Sequence, residues 1–119
     1  MIQKSSILHT SDTTGVVTVN CFHIYQKKLK QIAKFGNFIK ISTRLVYNKA
    51  IKLKKKKLKA IVILLKFRFI KIDGSLLFFK KNTCVLLKRR IIAISAFITG
   101  CCIYNLKRKK FLLSFLKLI

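Results

Sequence analysis

Two carboxylates, Asp12 and Asp73, stand against 27 lysines and arginines in this 119-residue chain, giving a formal charge of +25 at pH 7. Nothing within the sequence neutralises such a field. It opposes compaction of the free chain and attracts any polyanion, so the partner class is nucleic acid, an anionic membrane surface or an acidic protein. Yet the chain is 52% apolar, with four glycines and no proline, which lies outside the low-hydrophobicity regime of disordered tails. A packed core is expected, in one domain, because the length falls short of two ordinary ones.

Hydrophobic patterning points to strands. The run Val16 to Tyr25 is β-branched and aromatic, with Val17, Val19, Cys21 and Tyr25 on one face and Thr18 and Asn20 on the other. A second strand alternates Ile39, Ile41 and Leu45 against Lys40, Ser42 and Arg44. Leu58 to Ile72 reads as one long or two short β-rich stretches, ended by Asp73-Gly74. That dipeptide between two apolar runs predicts a hairpin with a type I′ turn, whose two central residues both need positive φ. Cys84 to Leu87 fits a closing strand. Five short strands by residue 87 give a mainly β fold, a small five-stranded barrel over about residues 1–90. In the extension over about 91–119, Leu106, Phe111, Leu112, Phe115 and Leu116 fall near helical spacing and predict a C-terminal helical appendage.

The basic residues are the candidate binding residues. They cluster as Lys27, Lys28, Lys30 and Lys34; Lys40 and Arg44 on the second strand; and Lys49, Lys52, Lys54, Lys55, Lys56, Lys57 and Lys59 in a basic insert and its exit. Lys66 and Arg68, Lys80 and Lys81, then Lys88, Arg89 and Arg90, and finally Lys107, Arg108, Lys109 and Lys110 complete the set. An ordinary solvated face mixes both signs of charge, and this chain has almost no acid with which to do so. Phosphate neutralisation with counterion release is therefore the favoured reading. Lysine outnumbers arginine 22 to 5, which favours point-charge attraction over bidentate recognition, and the shape of a nucleic acid over its sequence. Tyr25 and Tyr47 could stack on unpaired bases, whereas Phe67, Phe69, Phe78 and Phe79 lie in predicted strands and are assigned to core packing.

Chemistry of other kinds finds no support. Cys21, Cys84, Cys101 and Cys102 form no C-x-x-C pair and are read as reduced packing residues. His9 and His23 are isolated, so no metal site is expected. No nucleophile-base pair, glycine-rich phosphate loop or carboxylate pair is present, so neither catalysis nor a cofactor is expected. Asp12 and Gly15, like Asp73 and Gly74, are read as structural turn residues.

One stretch carries a more specific pattern: Ala60, Ile61 to Ile63, then Asp73 and Gly74, Phe79, Asn82, Val85 and Leu86. In residue type and spacing it resembles the signature of the ribosomal large-subunit protein L-fourteen family. The start is similar too, through Met1-Ile2-Gln3, Ser11-Asp12, Gly15, and Gly36 to Ile41. The resemblance implies a five-stranded barrel with a C-terminal helical appendage that binds large-subunit rRNA on the face meeting the small subunit. It further implies neighbouring large-subunit proteins, small-subunit rRNA across an intersubunit bridge and, in bacterial and mitochondrial members, a ribosome-silencing factor as partners. After Arg90 the chain departs from the family: Ser95 to Cys101 stand where the family has Gly-Thr-Arg-Ile-Phe-Gly-Pro, without its Arg and Pro.

Two rival readings follow from the residues. Ile91 to Leu106 is uncharged between basic clusters, which suggests a membrane span, although a spanning helix needs about 20 apolar residues; no membrane span is expected. A free nucleic-acid-binding barrel is the other. The lack of Pro and Trp and the excess of Lys, Ile, Phe and Leu, all encodable by A and T, point to an AT-rich organellar gene. The mitochondrion is the expected compartment, with the plastid as alternative. Met1 to Gly15 has neither a secretory nor a transit-peptide pattern.

Overall fold

A computed structural model describes residues 2–25, 32–47, 56–89, 92–94, 98–102 and 115–118. The strands β1 (Ile7–Thr10), β2 (Val16–Ile24), β3 (Phe38–Val46), β4 (Lys57–Leu64) and β7 (Thr83–Arg89) pair antiparallel in the order β1-β2-β3-β4-β7. β7 then pairs parallel with β1, through His9↔Thr83 and Thr10↔Cys84, and closes a five-stranded barrel. Closure leaves no free edge around the ring.

The barrel is filled by alternate residues of every strand: Leu8, Val19, Cys21, Ile39, Ile41, Ala60, Val62, Cys84 and Leu86 are all fully buried in one core. Ala60, Cys21 and Cys84 are small because a five-stranded barrel has little room inside. Ile2 pairs with Ala33 by backbone hydrogen bonds of 3.2 and 2.7 Å, and both side chains are buried in the same core.

β4 and β7 are covered on both faces, which is why AIVIL and CVLL read as continuous apolar runs. Their outward residues Ile61, Ile63, Val85 and Leu87 form a second core with Ile98. Ile98 belongs to β9 (Ile98–Cys102), which pairs parallel with β10 (Phe115–Leu118); β8 (Ile92–Ala93) adds to β7. Each of those fully buried aliphatics contributes about 1.5–3 kcal/mol relative to exposure.

The Asp73-Gly74 hairpin is present, as β5 (Arg68–Ile70) against β6 (Leu76–Phe78). It lies outside the barrel ring, and its place among the five barrel strands is taken by β1, which the patterning had not distinguished. Its turn also differs from the type I′ expectation. Gly74 has φ 87°, whereas Asp73 is not among the positive-φ residues. Gly74 N donates to Lys71 O at 3.0 Å and Lys71 N to Ser75 O at 2.9 Å, the pattern of a three-residue loop with a glycine bulge. The predicted C-terminal helix falls mostly outside the described residues, and its last part, Phe115–Leu118, is a strand.

Bulges explain the other departures. Between Thr18↔Leu45 and Val19↔Thr43 the pairing shifts so that Arg44 has no partner. The alternation that buries Ile39, Ile41 and Thr43 then breaks, and Leu45 is exposed, not in the core as its parity implied. Val17 likewise gives way to the buried Val16 and Thr18.

Candidate nucleic-acid interface

The third bulge builds the site. Cys21 pairs with Ile41 and His23 with Lys40, so Phe22 is the extra residue. An extra residue rotates the strand and re-aims its side chains. Phe22 and His23 consequently both face outward, Ile24 turns into the core, and Tyr25 is exposed instead of buried.

On the outer face beside them, His23, Lys40 and Lys59 lie in one row across β2, β3 and β4, and Asn20, Ser42 and Lys57 in the next. The Lys40 and Lys57 ammonium groups each sit 5.8 Å from the Phe22 ring centroid. Lys59 Nζ lies 5.3 Å from the Tyr25 ring and 4.5 Å from that of Phe38. His23 meets Tyr25 edge-on at 5.0 Å. Asn20 Oδ1 is buried without a hydrogen-bond partner.

Lys40 and Lys59 are directly opposed cross-strand neighbours, an arrangement that like charges disfavour. Neither side-chain carboxylate is placed to relieve it. Asp12 accepts from Thr14 Oγ1 at 2.7 Å and Leu86 N at 3.1 Å, inside the β1–β2 turn and against β7. Asp73 lies in the β5–β6 turn and accepts from Ser75 N and Oγ at 3.0 and 2.7 Å, which holds its carboxyl below its usual pKa, with Lys71 adding to the effect.

The remaining cations divide. Arg44 and Lys56 are exposed next to the patch, and Lys56 N donates to Thr43 Oγ1 at 3.1 Å. Lys66, Arg68, Lys80 and Lys81 are exposed at the foot of the hairpin. There Lys66 N donates to Asn82 Oδ1 at 2.6 Å, and a cleft of about 220 Å³ is lined by Lys34, Phe35, Leu65, Phe67 and Phe69. Lys88 is exposed near the end of β7, and the side chain of Arg89 is outside the description. Lys27, Lys28, Lys30, Lys49, Lys52, Lys54, Lys55, Arg90, Lys107, Arg108, Lys109 and Lys110 lie outside the described residues.

Core packing was expected of four phenylalanines and holds fully for Phe79 alone; Phe69 is half-buried against Phe35, while Phe67 and Phe78 are exposed on the hairpin. Phe22, an outward ring next to lysine, was not singled out from the sequence because nothing in the sequence marks the bulge. The four turn residues stand in turns: Gly15 has φ 87° and accepts from Tyr47 N, while Asp12 reaches beyond its own turn to β7. Among the described residues no helix is long and apolar enough to cross a membrane, and parts of the uncharged 91–106 run are the strands β8 and β9.

The signature positions carry structural duties. Ala60 and Leu86 fill the barrel, Ile61, Ile63 and Val85 the outer core, Gly74 the turn, and Asn82 ties the hairpin's entry to its exit. Comparison with known proteins agrees with that pattern. The family described as ribosomal protein L14p/L23e matches residues 1–116. The large ribosomal subunit protein uL14m of Tetrahymena pyriformis is 40% identical over 97% of both chains. The large ribosomal subunit protein uL14 of Carsonella ruddii is 30% identical over 93% of this chain and 91% of its own. A match over nearly the whole length, on a barrel whose signature residues hold it together, places the chain in the ribosomal protein L14p/L23e family, whose members are structural and not enzymes.

Proposed function

We propose that this protein is a structural component of the large subunit of the mitochondrial ribosome, held there by large-subunit rRNA. The observation that carries the reading is the opposed Lys40–Lys59 pair on a face that neither side-chain carboxylate neutralises. Phosphates supply the missing charge and turn a destabilising pair into an anion site. The two named relatives, both large-subunit proteins, support the ribosomal setting, and the uL14m of Tetrahymena pyriformis supports the mitochondrial one. The intersubunit face, the bridge to small-subunit rRNA and a contact with a silencing factor belong to the same proposal and rest on the family resemblance.

The test is sedimentation. Organelle lysate is resolved on sucrose gradients at moderate and then high salt, and each fraction is probed for the protein. Co-migration with the large subunit through the moderate-salt wash is expected. Retention in carbonate-extracted membranes, or migration apart from subunits at every salt concentration, would overturn the proposal.

A further inference from the structure

We propose that the outer face of β2, β3 and β4 is a stacking platform for unpaired RNA nucleotides. Phe22 and Tyr25 receive base faces, and Lys40, Lys57 and Lys59 take the flanking phosphates. The inference rests on the RNA-binding reading above and states how one part of that RNA is held.

Three observations converge on it. First, the rings are open: Phe22 is 37% and Tyr25 44% exposed on the barrel wall. Second, the bulge at Phe22 turns it outward next to His23, where regular alternation would have sent one of the two inward. Third, the lysine ammonium groups stand within cation–π range of the rings, at 5.3 to 5.8 Å from their centroids. An ammonium so placed can exchange its ring for a phosphate when a base takes the ring.

The chemistry of the ligand follows from that alternation. Planar π surfaces interleaved with cations fit a chain that alternates planar bases with anionic phosphates. A duplex fits poorly, because its bases are stacked on one another and offer the rings no face. The cations at the two rings are lysines, which offer no bidentate fork, so any base is accepted. An acidic protein segment would meet the lysines through carboxylates but has no repeating planar group for the rings.

The test uses the full-length protein in moderate salt with two probes, oligouridylate and a fully paired RNA duplex of the same length, followed by fluorescence anisotropy. Phe22→Leu and Tyr25→Leu should each weaken oligouridylate binding roughly tenfold or more while leaving duplex affinity and the salt dependence of binding unchanged. Lys57→Gln should weaken both probes and lower the salt slope by about one. Since the chain has no tryptophan, Phe22→Trp provides a sole reporter, whose emission oligouridylate should quench and the duplex should not. Unchanged oligouridylate binding by both leucine variants, equal losses on both probes, or an unquenched Trp in a variant that still binds would each overturn the platform. If the wild-type protein bound neither probe, the RNA-binding reading itself would fall.

Discussion

At the scale of single residues, Asp12 does more than shape a turn. Its Oδ1 accepts from Thr14 Oγ1 at 2.7 Å, while Oδ2 accepts from the buried amide of Leu86 on β7 at 3.1 Å. The adjoining Ser11 donates its amide to Cys84 O and accepts from Thr99 N at 2.6 Å, so residues 11 and 12 join the barrel to β9. Removing the carboxylate strands a buried N–H. We expect Asp12→Ala to cost about 1–3 kcal/mol in urea denaturation, and Asp12→Asn, which keeps one acceptor oxygen, to cost less. The thiols offer a pH test. Burial raises the pKa of Cys84, with Asp12 and Cys21 adding to the shift, and burial raises that of Cys21. Both groups therefore stay protonated in the fold after the unfolded chain has lost those protons. A raised folded pKa gives stability that is complete below the unfolded value, about 8.5, and is lost as pH rises through the folded one. Between pH 7 and pH 10 the wild type should lose more stability than the Cys21→Ala/Cys84→Ala double variant. Equal losses would show that the thiols do not contribute.

At the scale of elements, the β5–β6 hairpin is the separable piece. Gly74 sits at φ 87° with nothing within 4 Å of where a Cβ would be built, so a substitution there meets backbone strain and no clash. Gly74→Ala should weaken the turn by about 1–2 kcal/mol, and Gly74→Asn should recover most of it, because asparagine tolerates this conformation. The effect should be local, since Ile70, Leu76 and Phe78 are exposed and add little to the barrel core. Faster hydrogen exchange at the Lys71 amide with an unchanged global midpoint is the expected result, and a shifted midpoint would mean that the hairpin is coupled to the barrel. The hairpin also marks how far the sequence could be read. Asp73-Gly74 announced it, and Ile39 and Ile41 announced β3, because both signals are local. Its position outside the ring was not local information: the ring closes where β1 pairs with β7, joining His9 to Thr83, which lie far apart in sequence. The bulges at Arg44 and Phe22 were equally hidden, and each reverses a face, moving Leu45 out and Ile24 in. The site was therefore half readable, with its lysines evident from charge and its aromatic rings set by a register shift.

At the scale of the molecule, the surface we propose for RNA is a cost to the free protein. With +25 charges and two carboxylates already engaged, folding brings cations together with nothing to offset them, and Lys40 opposite Lys59 is the sharpest case. Salt screens such repulsion, with a Debye length of about 10 Å at 0.1 M. Stability of the isolated chain should therefore rise as salt is added, contrary to a protein held by surface ion pairs. Lys40→Gln separates the two demands on the residue. It removes one member of the opposed pair, so at low salt the free variant should be more stable than the wild type by about 0.2–1 kcal/mol, even after losing its contact with the Phe22 ring. That advantage should vanish in high salt. The same variant should bind RNA more weakly, with a salt slope smaller by about one, because one phosphate contact is gone. Denaturation and RNA titration across the same salt series measure both effects. A variant that gained stability and kept its RNA affinity would mean that Lys40 is strained for some other purpose. One that lost both would mean that the cation–π contact outweighs the repulsion, and that the face is stable without a polyanion.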